Sequence, residues 1–216
     1  MAAASIDELT LNDDPDRWAA YGFDVGEGIC TLATVAVRLA GDGGGIAGWS
    51  LRGASATELD GLPTAVSGAP EREPAGPHPN GVTAIDHVVA MTPDLERTVA
   101  ALQAAGLDLR RIREEPTPAG APRQAFFRLG AEILEVVQEP EQVLAAPGAR
   151  ERGARFWGLA LRTQEIERSA AAFGEHAGTI RPAVQEGRMI VTIKRSAGLG
   201  VPLALMSEPQ GTRRAA

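Results

Sequence analysis

The apolar pattern along the chain is sharpest between residues 82 and 139. An apolar run over 84–91 suits a buried strand, and Pro93 then opens a helix whose core face carries Leu95, Val99 and Leu102, at helical steps of four and three. Gly106 fits a helix C-terminal cap. Residues 107–113 and 124–129 read as strands, and Gly130 turns the chain into a further strand over 131–138. The order is β-α-β-β-β. Shifted by 71 positions, residues 156–173 lie on 85–102 with five identities in eighteen, among them Thr92/Thr163 and Arg97/Arg168. Ile166, Ala170 and Phe173 take the core-facing helix places. The segment 201–207 matches 133–138, each followed by Glu-Pro. A shorter version precedes both: Ile6-Asp7-Glu8 lies on Ile85-Asp86-His87, residues 22–25 on 106–109, and residues 32–39 on 129–136, with an additional strand at 46–51 after the glycine-rich turn 41–45. The organisation expected is three related units. They are a degenerate module over 1–53, a Pro-rich surface linker over 54–81, a full module over 82–139 and a third over 155–209.

Composition narrows the classes of function. The chain has 216 residues, 44% hydrophobic, with 21 Lys plus Arg against 28 Asp plus Glu, for a net charge of −7. No polybasic tract suggests nucleic acid or an anionic membrane as partner. The longest apolar stretch, 29–39, is broken by Thr31, Thr34 and Arg38 and falls short of a membrane span. The first residues show neither a basic nor an apolar signal region, so the cytoplasm is the expected location. The single cysteine, Cys30, excludes an intramolecular disulfide and reads as a small hydrophobe.

A β-α-β-β-β unit with a histidine in its first strand (Ile85-Asp86-His87-Val88-Val89) and a glutamate in its last (Ile133-Leu134-Glu135-Val136-Val137) resembles the vicinal oxygen chelate superfamily, the group of glyoxalase I, bleomycin-resistance proteins and extradiol dioxygenases. The resemblance implies an α+β fold of repeated βαβββ modules forming curled mixed sheets around a cleft, with metal ligands on the first and last strands. One imidazole and one carboxylate meet inside such a sheet if both side chains take the same face. The bland alternatives are a strand histidine bonded to a backbone carbonyl and a glutamate turned to water or paired with an arginine. The third module has Gly158 and Ala204 at the corresponding places, neither able to coordinate. The first has Glu8 and Arg38. The implied metal set is therefore Glu8, His87 and Glu135, with Glu135 or Glu8 also available as a general base. Zinc, nickel, manganese, magnesium or iron are the ions considered, the acid-rich set speaking against iron-dependent oxygen chemistry. An Arg38 ion pair with Glu8 or Glu135 would remove the need for a metal.

The activity this implies is that of a glyoxalase-like lyase or isomerase, rather than a dioxygenase, acting on a small molecule with adjacent oxygens. The alternative is a metal-free protein that sequesters a small molecule, for which a net acidic cleft would suit a cationic ligand. An odd number of modules leaves one sheet unpartnered, so a homodimer is expected, and light scattering checks it. His78 and His176 read as surface residues; Arg188, Lys194 and Arg195 read as a solvated rim or a hold on a carboxylate or thiolate-conjugate substrate; Trp49 and Trp157 read as cleft-lining or core.

Overall fold

A computed structural model describes residues 3–41, 43–116, 120 and 122–208. The elements in chain order are β1 (Ser5–Leu11), α1 (Pro15–Ala20), β2 (Ile29–Leu32), β3 (Val35–Leu39), β4 (Ile46–Arg52), β5 (Thr64–Ser67), β6 (Val82–Thr92), α2 (Leu95–Ala104), β7 (Asp108–Arg113), β8 (Gln124–Leu129) and β9 (Glu132–Gln138). There follow α3 (Glu141–Leu144), β10 (Arg155–Thr163), α4 (Ile166–Ala172), β11 (Arg181–Pro182), β12 (Met189–Ile193) and β13 (Leu203–Ser207). The class is α+β, with mixed sheets of order β2-β3-β1-β4-β5 and β11-β12-β13-β10-β6-β9-β8-β7. Among the described residues no helix is long and apolar enough to cross a membrane. The span 54–81, expected to be a Pro-rich surface linker, contributes β5, which pairs in parallel with β4 through Trp49↔Thr64 and Leu51↔Val66.

The chain forms two compact units, the first of Met1–Thr10, Ile46–Glu71 and His87–Gly158, the second of Leu11–Gly45, Arg72–Asp86 and Leu159–Ala216. In the first, α2 packs on β7, β8 and β9. Its buried face is Leu95, Thr98, Val99 and Leu102, the three apolar positions being those the helical spacing marks. Asp94 caps it, accepting from the Arg97 amide at 2.9 Å. The strand residues facing the helix, Val88, Ala125, Phe127, Leu134 and Val136 among them, are completely buried.

In the second unit α4 packs on β12 and β13 in the same manner, over buried Leu161, Val191, Leu203 and Leu205. The two helices share one fastening. Thr92 Oγ1 lies 2.6 Å from Thr98 Oγ1 and accepts from the Asp94 amide at 3.1 Å. Thr163 Oγ1 lies 2.5 Å from Ser169 Oγ and accepts from the Glu165 amide at 3.3 Å. Arg97 and Arg168 then each tie a preceding or following connection by its backbone, Arg97 to the Arg152 carbonyl at 2.6 Å and Arg168 to the Pro79 carbonyl at 2.9 Å. Two of the five identities between these segments, Thr92/Thr163 and Arg97/Arg168, thus mark strand-to-helix corners rather than chemistry.

The β2–β3 hairpin repeats the β8–β9 hairpin. Gly130 turns the latter with φ +71°, and Ala33 occupies the corresponding place with φ +51°. An L residue with a side chain is strained there, at roughly 1 kcal/mol relative to glycine. Ala33→Gly is accordingly expected to raise stability by about 0.5–1 kcal/mol despite the looser unfolded chain, read as a shift of the urea midpoint; a loss of that size would show that entropy outweighs the strain.

Candidate active site on the β6–β9–β8–β7 face

The register across the first unit decides which side chains share a face. β9 lies parallel to β6 with His87↔Ile133, Val89↔Glu135 and Met91↔Val137. β8 lies antiparallel to β9 with Gln124↔Val137, Phe126↔Glu135 and Arg128↔Ile133. Directly paired residues point to the same side of a sheet. His87, Glu135, Gln124 and Phe126 therefore stand together on the face turned away from α2. β7 joins with Arg111↔Phe126 and Arg113↔Gln124, after an irregularity between Leu109 and Arg111 in which Arg110 is the additional residue. This bulge changes which residues of β7 face the site. Counting on from Asp108↔Arg128 without it would put Arg110 and Ile112 on the face; with it, Arg111 and Arg113 stand there.

His87 Nε2 is 3.4 Å from Glu135 Oε2, the side chains being 14% and 16% exposed. Gln124 Nε2 donates to the other oxygen, Oε1. Burial pushes the Glu135 carboxyl above its ordinary range, opposed by His87, by the Gln124 bond and by the charges of Arg111 and Arg113. Arg111 stacks on Phe126, its guanidinium carbon 4.8 Å from the ring centroid. The face thus holds an imidazole and a carboxyl in contact, an amide fixing the carboxyl, and two cations at the outer strand.

Of the sequence-derived set, His87 and Glu135 meet. Glu8 lies half-buried on β1 and Arg38 exposed on β3. Among the described residues no three His, Cys, Asp or Glu side chains gather into a group that could hold a metal ion. The three-ligand set Glu8, His87, Glu135 is not assembled, and an imidazole with one carboxylate, itself bonded to Gln124, falls short of the three protein donors of a catalytic centre. These residues do not fit the divalent ion that the resemblance implies.

The remaining candidates fall elsewhere. His78 is buried, not at the surface: its Nδ1 accepts from the Asp24 amide at 3.0 Å, so Nε2 carries the proton and donates to the Thr31 carbonyl at 3.1 Å. Burial lowers its pKa, and it serves as a neutral backbone clamp. It borders a cavity of about 620 Å³ that Asp24, Thr31 and Pro77 also line. Cys30 lies nearby with Sγ 3.7 Å from His78 Nε2, and burial raises its thiol to about 12, which leaves it inert. Arg188 is no rim residue, because it pairs with the buried Asp86 and donates to the Ser207 carbonyl at 2.8 Å. Lys194 bonds the Glu175 carbonyl, and His176 bonds Ser196 near the surface. Trp49 is a core residue against Phe156, while Trp157 is 47% exposed.

Gln124, Arg111 and Arg113 were not singled out by sequence reasoning. Gln124 opens a strand whose face becomes known only once β8 is paired with β9. The two arginines depend on the bulge.

A family described as Glyoxalase-like domain matches residues 85–198, just over half of the chain. No curated protein sequence matches. Among solved structures, methylmalonyl-CoA epimerase from Mycobacterium tuberculosis is 20% identical, over 59% of this chain and 89% of that one, with TM-score 0.48. A Streptomyces coelicolor methylmalonyl-CoA epimerase in complex with 2-nitronate-propionyl-CoA is 19% identical, over 60% and 96%, with TM-score 0.47. A hypothetical protein from Bacillus halodurans is 15% identical, over 60% and 97%, with TM-score 0.47. These are likenesses of fold alone.

Proposed function

Because the chain belongs to the glyoxalase-like domain family, within the vicinal oxygen chelate superfamily, we propose that it is a small-molecule lyase or isomerase in which Glu135 moves a proton at a carbon beside an oxygen-bearing group. The observation that carries this reading is the Glu135 carboxyl, raised by burial and held at both oxygens, by Gln124 at Oε1 and by His87 at Oε2. A carboxylate of raised proton affinity is a stronger base toward carbon than one in water, and rates of proton transfer follow that affinity. In the step, a C–H bond next to a carbonyl breaks and Glu135 takes the proton. The electron pair passes to the carbonyl oxygen as an enolate, and return of the proton to the other side or to the adjacent carbon gives an isomer of the same formula. His87 steadies the carboxylate while it is charged.

The test is proton NMR in D2O over a panel of 2-hydroxyketones, 2-keto acids and malonyl-type thioesters, the last suggested by the ligands of the epimerases. Deuterium is expected to enter one member faster than in buffer. Exchange in none of them, with calorimetric binding of one, would replace this reading by the second: a sequestering protein similar to the bleomycin-resistance branch. That reading is favoured by the way His87, Glu135 and Gln124 satisfy one another. Elemental analysis of protein purified without chelator addresses the ion separately. About one divalent metal per chain, lost in both His87→Ala and Glu8→Gln, would restore the three-ligand set.

A further inference from the structure

The chain as a whole is acidic, with a net charge of −7, yet β7, which lies across β8 from the strand of Glu135, presents cations on the same face. Arg111 and Arg113 alternate along β7, with Ile112 between them turned to the opposite side, and stand in the rows of Glu135 and Gln124 respectively. Their neighbour Arg110 is occupied by Asp108, at 3.1 Å. Arg123, just before β8, is occupied by Glu114 and Glu96. Among the described residues no ion pair or hydrogen bond engages the side chain of Arg111 or Arg113. The contact over the Phe126 ring, 4.8 Å from guanidinium carbon to centroid, anchors Arg111 without occupying its N–H donors. A guanidinium so held is preorganised for the two oxygens of an oxyanion.

We propose that Arg111 and Arg113 form an anion subsite beside Glu135, so that the substrate carries a carboxylate or phosphate at one end and its reacting carbon at the other. This deepens the function proposed above and rests on it for the word substrate. An acidic ligand is the reverse of the cationic one that net charge alone suggests, because charge summed over a chain says nothing of where it lies. A bound anion would also offset the two arginines that hold the Glu135 proton affinity down, so occupation of the subsite strengthens the base.

The experiment is calorimetric titration of the full chain with malonate and, separately, inorganic phosphate, in low salt. The variants are Arg111→Gln, Arg113→Gln, Arg110→Gln and Glu135→Gln, each checked for folding by circular dichroism. The expected result is binding of one probe that weakens on the order of tenfold in each of R111Q and R113Q. R110Q should match the wild type, and E135Q should bind at least as tightly. The probe that binds assigns carboxylate or phosphate. Equal weakening in R110Q, unchanged binding in R111Q and R113Q, or no binding of either probe overturns the subsite. Because E135Q retains the anion while losing proton exchange, failure of the chemistry and failure of the subsite are read separately.

Discussion

Glu135→Gln is expected to slow proton exchange by about 10²- to 10⁴-fold, the usual span for removal of a general base, and at the same time to make the protein more stable at neutral pH. The two effects have one origin. Burial raises the affinity of the folded-state carboxyl for its proton above the ordinary value of 4.5. Such a group supports folding fully below its unfolded pKa and loses that contribution as pH rises through the folded pKa. Glutamine keeps the shape and the neutral charge at every pH. Wild type and variant should therefore have equal urea midpoints near about pH 4, with the variant pulling ahead as pH rises toward about 8. A variant less stable than wild type at about pH 8 would mean that His87, Arg111 and Arg113 stabilise the ionised carboxylate more than burial penalises it. Glu135 would then be an ordinary ion-pair member and a weak base.

Phe126 and Phe127 are neighbours in sequence with opposite consequences. Phe127 is 0% exposed, on the side of β8 covered by α2. Phe127→Ala removes the largest side chain of that layer and leaves a cavity that the close-packed Leu134 and Val136 cannot fill, for a loss of about 3–5 kcal/mol. The thermal midpoint should fall by about 6–20 °C. Phe126 is only partly buried and is paired with Glu135 and Arg111. Phe126→Ala should cost less, about 1–2 kcal/mol, since the ring keeps part of its surface in water and the guanidinium over it contributes only about 0.5–1 kcal/mol. Its larger effect is expected on anion affinity, through a freed Arg111. Similar losses of stability in the two variants would show that the register assigned to β8 is wrong by one residue.

What the sequence makes legible here is periodic. The strand, helix and hairpin sequence of 82–139 follows from apolar spacing and two turn glycines, and the histidine and glutamate are conspicuous because each interrupts an apolar strand. Their meeting depends on β9 lying next to β6 and parallel to it, which local pattern does not encode. The placement of Arg111 and Arg113 depends on a bulge within a strand whose sequence, Asp-Leu-Arg-Arg-Ile-Arg, alternates equally well in either phase. His78 escapes for another reason: its partners are backbone groups of Asp24 and Thr31, more than forty positions away, and backbone groups leave no mark in a sequence. Thr92 and Thr163 show the converse. They are identical between repeats and turn out to fasten helices, so identity between repeats reports a shared corner more readily than a shared reaction.

The bulge at Arg110 makes the ligand preference of this face a matter of strand length as much as of residue type. β7 ends its sheet and is paired on one side only, so a one-residue insertion or deletion there disturbs a single neighbour. Loss of Arg110 would straighten the strand and keep both guanidiniums in place. Loss of Ile112 would carry Glu114 to the position beside Gln124, replacing a cation with an anion without altering a single codon for a facing residue. The anion affinity of a chain lacking Ile112 reads this directly, and retention of that affinity would refute it. An indel at the border of the sheet is thus a one-step route by which related proteins on this scaffold can exchange an acidic ligand for a basic one.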